Sequence, residues 1–91
     1  MKQNCYTVEW HRDAVKQFQQ VSDKKLQVEI LNIIEQTIAW NPLAGKPLSG
    51  PFTGVRSYRV GIIRILYKAY KDRLVIVILR VDHRKNVYRL R

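Results

Sequence analysis

Cysteine is almost missing from this chain of 91 residues: Cys5 stands alone, so no internal disulfide staples the fold, and a reducing compartment suits it. Histidine is scarce too, with only His11 and His83, and no Cys/His group has metal-ligand spacing, so no metal or other cofactor is expected. Long apolar runs are absent. The longest, Leu74–Leu79, has six residues, against about 18 for a membrane span, which argues against a membrane partner. The first ten residues hold one lysine and no apolar stretch, unlike a secretory or transit peptide, and the expected location is the cytoplasm. Proline and glycine are few and clustered: all three prolines and three of the four glycines lie in Asn41–Gly54. Acidic residues are the last shortage, seven against 17 Lys and Arg.

What is present suits a single small domain spanning residues 1–91. Apolar residues make up 46% and charged residues 26%, ordinary globular usage that excludes an intrinsically disordered chain. The charge is uneven. Residues 1–55 are nearly balanced, with six basic and five acidic side chains, whereas residues 56–91 carry eleven basic residues against Asp72 and Asp82. A field of that density attracts a polyanion, because binding releases condensed counter-ions.

The patterning predicts the elements. Tyr6, Val8 and Trp10 alternate with polar residues, as in a half-buried strand over Cys5–Trp10. Ala14, Val15, Phe18 and Val21 then recur at helical spacing. Ser22 is a plausible N-cap for a second helix, with Asp23 in its first turn. Leu26, Ile30, Ile33, Ile34, Thr37 and Ile38 form that helix's apolar stripe, and Asn41-Pro42 ends it. No regular element is expected over Asn41–Gly54. Val55–Val60, Ile62–Tyr70 and Leu74–Val81 read as three strands of an antiparallel meander, turning at Gly61 and at Lys71–Arg73. Leu74–Leu79, apolar on both faces, is its central strand. Asn86–Leu90 is either a fifth strand or an irregular end.

Alternation puts Arg64, Leu66, Lys68 and Tyr70 on one face of a strand and Ile63, Ile65, Tyr67 and Ala69 on the other. A guanidinium there faces either an external anion or a carboxylate from the first half of the chain. The segment Val81–Arg89 packs His83, Arg84, Lys85, Tyr88 and Arg89 close together. Metal-free RNA cleavage needs a proton acceptor for a 2′-OH, cations for the phosphorane-like charge, and a proton donor for the 5′-oxygen. Those residue types supply the roles, although a basic strand end without chemistry has the same composition. His11 reads as a helix cap.

In order and spacing the chain resembles the RelE/ParE superfamily of toxin–antitoxin toxins, within it the RelE-like messenger-RNA endonucleases. The resemblance rests on Tyr6–Trp10, Asn41-Pro42, Lys46–Gly50, Arg56–Gly61, Ile63–Tyr67, and Val81–Arg84 leading to Val87-Tyr88. It implies an α+β fold, two N-terminal helices packed on a four- to five-stranded antiparallel sheet. It implies a type II toxin that cuts messenger RNA on the ribosome by 2′-OH attack and is neutralised by a cognate antitoxin protein. Catalysis is then expected from Arg64, Arg84 and Tyr88, with phosphate contacts from Arg56, Arg59, Lys68, Lys85 and Arg89. Two departures matter. Relatives often carry basic residues at alternate positions of the strand before the hairpin, but here Ser57 replaces one and Arg56 is displaced beside it. Asp82 stands where glycine is frequent, leaving His83 as a proton-transfer candidate. The alternatives are a ParE-like, non-catalytic gyrase inhibitor and a decayed toxin that only binds.

Overall fold

Tyr6, Val8 and Trp10 do turn one way: in a computed structural model of the chain, which describes residues 5–83, Thr7–Trp10 form strand β1 and these three side chains pack on the core. His11 then caps helix α1, Arg12–Gln19, its Nδ1 accepting from the Asp13 N–H at 3.1 Å. Ala14 and Phe18, one turn apart, point inward, and Phe18 meets Trp10 edge-to-face with centroids 5.5 Å apart. Val15, expected in that stripe, is exposed, because a helix of two turns buries only the line through Ala14 and Phe18.

Helix α2, Lys24–Ile33, is capped by Asp23 and not by Ser22. Asp23 has the extended backbone a cap needs, and its Oδ1 accepts from the Lys25 and Leu26 N–H groups at 3.0 and 3.3 Å. Asp23→Ala is expected to cost about 1 kcal/mol and lower Tm by roughly 4–8 °C, measured by thermal melting against the parent chain. The apolar stripe runs on into a single π-helical segment, Ile34–Ile38, whose wider turn buries Ile34, Ile38 and Ala39 together.

The following loop holds more structure than its glycines and prolines suggest. Asn41 Oδ1 accepts from the Leu43 N–H and starts a 3₁₀ turn, Pro42–Ala44; a second such turn spans Gly50–Phe52. Between them Lys46–Pro47 form a short strand, β2, at the sheet edge, where proline's missing N–H is not needed.

β3 (Arg56–Val60), β4 (Ile63–Tyr70) and β5 (Val75–His83) make the expected meander. Gly61, at φ +61°, takes the first central position of the β3–β4 turn, the place a tight II′ reversal reserves for glycine. The five strands lie in the order β1-β5-β4-β3-β2. Two expectations change here. The sheet is mixed, because β1 runs parallel to β5, Thr7 opposite Val75. Its fifth strand comes from the loop as β2; Asn86–Leu90 lies outside the described residues. One sheet face, with Val60, Ile63, Ile65, Tyr67, Ile76, Ile78 and Val81, packs on Ala14, Ile30, Ile34 and Ile38 to form the core.

Candidate nucleic-acid interface

The other sheet face carries no helix. Cross-strand partners project to the same side. Arg59 stands opposite Arg64 and Arg64 opposite Asp82; Ser57 stands opposite Leu66 and Leu66 opposite Arg80. Lys46 pairs with Ser57, and Lys68 with Val77. The face therefore gathers Lys46, Arg59, Arg64, Lys68 and Arg80 around Ser57 and Leu66, with Asp82 at one end and Glu9 of β1 beyond Val77.

Arg80 owes its place to an irregularity. The β4–β5 register shifts between Leu66 and Tyr67, so that Leu79 is an extra residue on β5. Strict alternation from Val77 would bury Arg80 with Ile78 and expose Val81. The bulge does the reverse: Val81 is 1% exposed in the core and Arg80 turns to the open face. Sequence reading did not single out Arg80. The available signal was the Leu79-Arg80 step, where a run apolar on both faces meets a guanidinium without a turn.

Arg64 is half-buried and its Nη1 donates to the Ser57 hydroxyl at 3.4 Å. Arg80 Nη2 donates to Asp82 Oδ2 at 3.3 Å, while its buried Nε has no hydrogen-bond partner among the described residues. Arg59 and Lys68 form no ion pair with a described carboxylate. Lys68 and Arg73 lie over the Tyr70 ring, 5.5 and 4.6 Å from its centroid.

Two expected members of the site face elsewhere. Arg56 pairs with Tyr67 on the helix-side face, and its Nη1 donates to the Gly45 carbonyl at 2.8 Å. Its displacement by one position from Ser57 puts it on the opposite side of the pleat from Arg59. His83 pairs with Ile63, which also sends it to the helix side, where it lines a cleft of about 290 Å³ with Gln17, Asp23 and Leu26. The Asp82 carboxylate meets the Arg80 guanidinium and the His83 backbone N–H. Arg84, Lys85, Tyr88 and Arg89 lie outside the described residues.

Arg56 belongs to an anchor that the sequence did not reveal. Tyr67 is fully buried; its hydroxyl accepts from the Gly45 N–H at 2.8 Å and donates to the Pro42 carbonyl at 2.7 Å. This pins the loop before β2 to the sheet. Burial raises the Tyr67 pKa above the ordinary tyrosine value, against the opposing pull of the Gly45 N–H and the Arg56 charge. The folded state thus holds this proton more tightly than the unfolded chain. The stability involved is fully present below the unfolded value of about 10 and is lost as pH rises through the folded one. Tyr67→Phe is expected to have a lower Tm near neutrality and a shallower decline as pH rises above about 10, read from melts on either side of that pH; equal slopes would refute this.

Residues 8–88 match the family model for the ParE toxin of type II toxin–antitoxin systems, parDE. Toxin RelG of Mycobacterium tuberculosis is 47% identical over 45 residues, covering 50% of this chain and 52% of that protein, so the match spans about half the length of this curated relative. A chain of the RelBE2 toxin–antitoxin complex of the same organism superposes with TM-score 0.82 at 30% identity, covering 90% of this chain and 94% of that one. A chain of the intact RelBE toxin–antitoxin complex of E. coli, at 10% identity and TM-score 0.73, covers 86% and 95% and shares the fold.

Proposed function

The chain belongs to the RelE/ParE superfamily of type II toxin–antitoxin toxins, and on that footing we propose that it is a ribosome-dependent messenger-RNA endonuclease. The observation that carries this reading is the convergence of Arg59, Arg64, Arg80 and Lys68 on the helix-free face, with a single carboxylate, Asp82, directly paired into the cluster. An arginine fork holds two phosphate oxygens at once. Arg64, half-buried at the centre, stabilises the charge that grows on phosphorus as the 2′-oxygen attacks and the bond to the 5′-oxygen breaks, giving a 2′,3′-cyclic phosphate and a 5′-hydroxyl. Arg59, Arg80 and Lys68 hold the flanking phosphates; the family resemblance assigns the leaving oxygen to Arg84 and the substrate base to Tyr88, both outside the described residues.

Guanidinium groups are poor proton acceptors. The face therefore supplies electrostatic stabilisation, and the ribosome that presents the message completes the acid–base chemistry. His83 is not assigned a role in this site, nor is Arg56. A cognate antitoxin protein neutralises the basic domain in the cytoplasm; two of the similar structures are toxin–antitoxin complexes by their descriptions.

The name of the matching family favours a second reading, a non-catalytic gyrase poison. Inducing the chain in growing cells, with primer extension on an abundant message, separates the two. Cuts within translated codons support the nuclease. Growth arrest with intact messages and gyrase-linked DNA breaks supports the second reading, and no arrest leaves a decayed toxin that only binds.

A further inference from the structure

The reverse side of the sheet, away from Arg59, Arg64 and Arg80, carries a cleft of about 420 Å³, where the 3₁₀ turn Pro42–Ala44 meets the start of β3 and the end of β4. That volume lies within the range of small-ligand sites. Tyr6, Pro42, Leu43 and Ala69 give the cleft apolar walls, and Arg56 and Lys71 add two cations. None of the residues that line it is acidic.

Leu43 is 69% exposed, more than any other large apolar side chain among the described residues, so covering it is favourable. The walls are set before a ligand arrives. Pro42 and Gly45 are tied to the buried Tyr67 hydroxyl at 2.7 and 2.8 Å, and Arg56 Nη1 is tied in turn to the Gly45 carbonyl. Binding therefore costs little ordering of the turn or the guanidinium. Lys71 is exposed and makes no ion pair with a described carboxylate. Apolar walls of low dielectric concentrate the field of the two cations in the cleft.

We infer that this cleft binds an organic acid, one carboxylate carried on a small apolar body, at a place the nuclease reading does not use. The body packs against Tyr6, Leu43 and Ala69, and the carboxylate accepts from the Lys71 ammonium beside the Arg56 charge. Inorganic phosphate answers only the cations, and a neutral apolar molecule answers only the walls. Two sources offer the required chemistry: a free carboxylic acid, and the terminal residue of a peptide that ends in an apolar side chain.

The test is a titration of the ¹⁵N-labelled chain with 4-methylpentanoate, its neutral amide, acetate, inorganic phosphate and the peptide acetyl-Ala-Ala-Leu. 4-Methylpentanoate is expected to move the backbone amides of Tyr6, Leu43, Ala69 and Lys71. It should bind about fivefold more tightly than its amide, which lacks the charge, and about tenfold more tightly than acetate, which lacks the body. Leu43→Ser should weaken acid and amide alike by about threefold. Lys71→Gln should weaken the acid by about threefold and leave the amide unchanged. Both side chains are exposed, so the variants keep the fold, checked by thermal melting. The peptide separates the sources: binding at least about fivefold tighter than 4-methylpentanoate assigns the cleft to a peptide C-terminus, and anything weaker assigns it to a free acid. Equal binding of acid and amide, no shift at the four amides, or the same shifts from inorganic phosphate overturns the site. An unchanged affinity for the acid in either variant does so too.

Discussion

Arg64→Ala is expected to lower message cleavage on translating ribosomes by about 10²–10³-fold while leaving a folded protein. The size follows from the residue's position. Arg64 is half-buried at the middle of the face, between Arg59 on β3 and Asp82 on β5, with the Ser57 hydroxyl as a lateral support. A charge fixed in that way needs little reorganisation when the reacting phosphate gains charge. Lysine at the same position restores the charge but not the fork, so Arg64→Lys should recover only part of the rate. The comparison that gives the experiment its force is Arg56→Ala, which removes an equal charge from the opposite side of the same sheet. It should lower stability through the lost bond to the Gly45 carbonyl and leave the cleavage rate of the folded protein near that of the parent. Single-turnover cleavage of a programmed ribosome, with circular dichroism on each variant, reads both quantities. If Arg64→Ala cuts as fast as the parent, or Arg56→Ala is the more damaged nuclease, the placement of the reacting phosphate on the open face is wrong.

Gly45→Ala has the largest expected effect on the fold. A Cβ at that position would lie 2.5 Å from the Tyr67 hydroxyl oxygen and 2.8 Å from Cε1 of its ring. The ring is fully buried and held at its far end by the Pro42 carbonyl, so it has no room to withdraw. Either the loop lifts away, leaving the Tyr67 hydroxyl and the Gly45 N–H unpaired, or the core is overpacked. Either outcome costs about 2–3 kcal/mol, a fall in Tm of roughly 8–24 °C at 4–8 °C per kcal/mol. The double variant with Tyr67→Phe should lose less than the sum of the single losses, because both strike the same contact. A Tm within a few degrees of the parent would mean that the loop is not pinned there.

These two cases mark how far the amino-acid order could be read. Periodicity located both helices and the three long strands, since burial of one face imposes its spacing on Leu26, Ile30 and Ile34 and on Ile63, Ile65 and Tyr67. Alternation along β4 placed Arg64 and Lys68 on the open face correctly. It could not place Arg80 or His83, because a one-residue bulge resets the pleat and leaves no mark in a run that is apolar on both faces. Nor could it tell that Arg56 serves the loop, which depends on a hydroxyl and a glycine distant in sequence meeting at 2.8 Å. The parallel docking of β1 escaped for a related reason: alternation shows which face a strand buries, not the direction of its neighbour.

That docking has a consequence for how the protein is made. β1 precedes β5 by two helices and three strands, yet among the described residues its only sheet neighbour is β5, which also separates it from the rest of the sheet. Pairing between segments so distant in sequence is slow, because the loop must close before any contact rewards it. A nascent chain therefore cannot complete the sheet until β5 has left the exit tunnel. Arg80 arrives with β5 itself, so the cationic face comes together only once that strand is made, and a product truncated before it lacks the β5 side of that face.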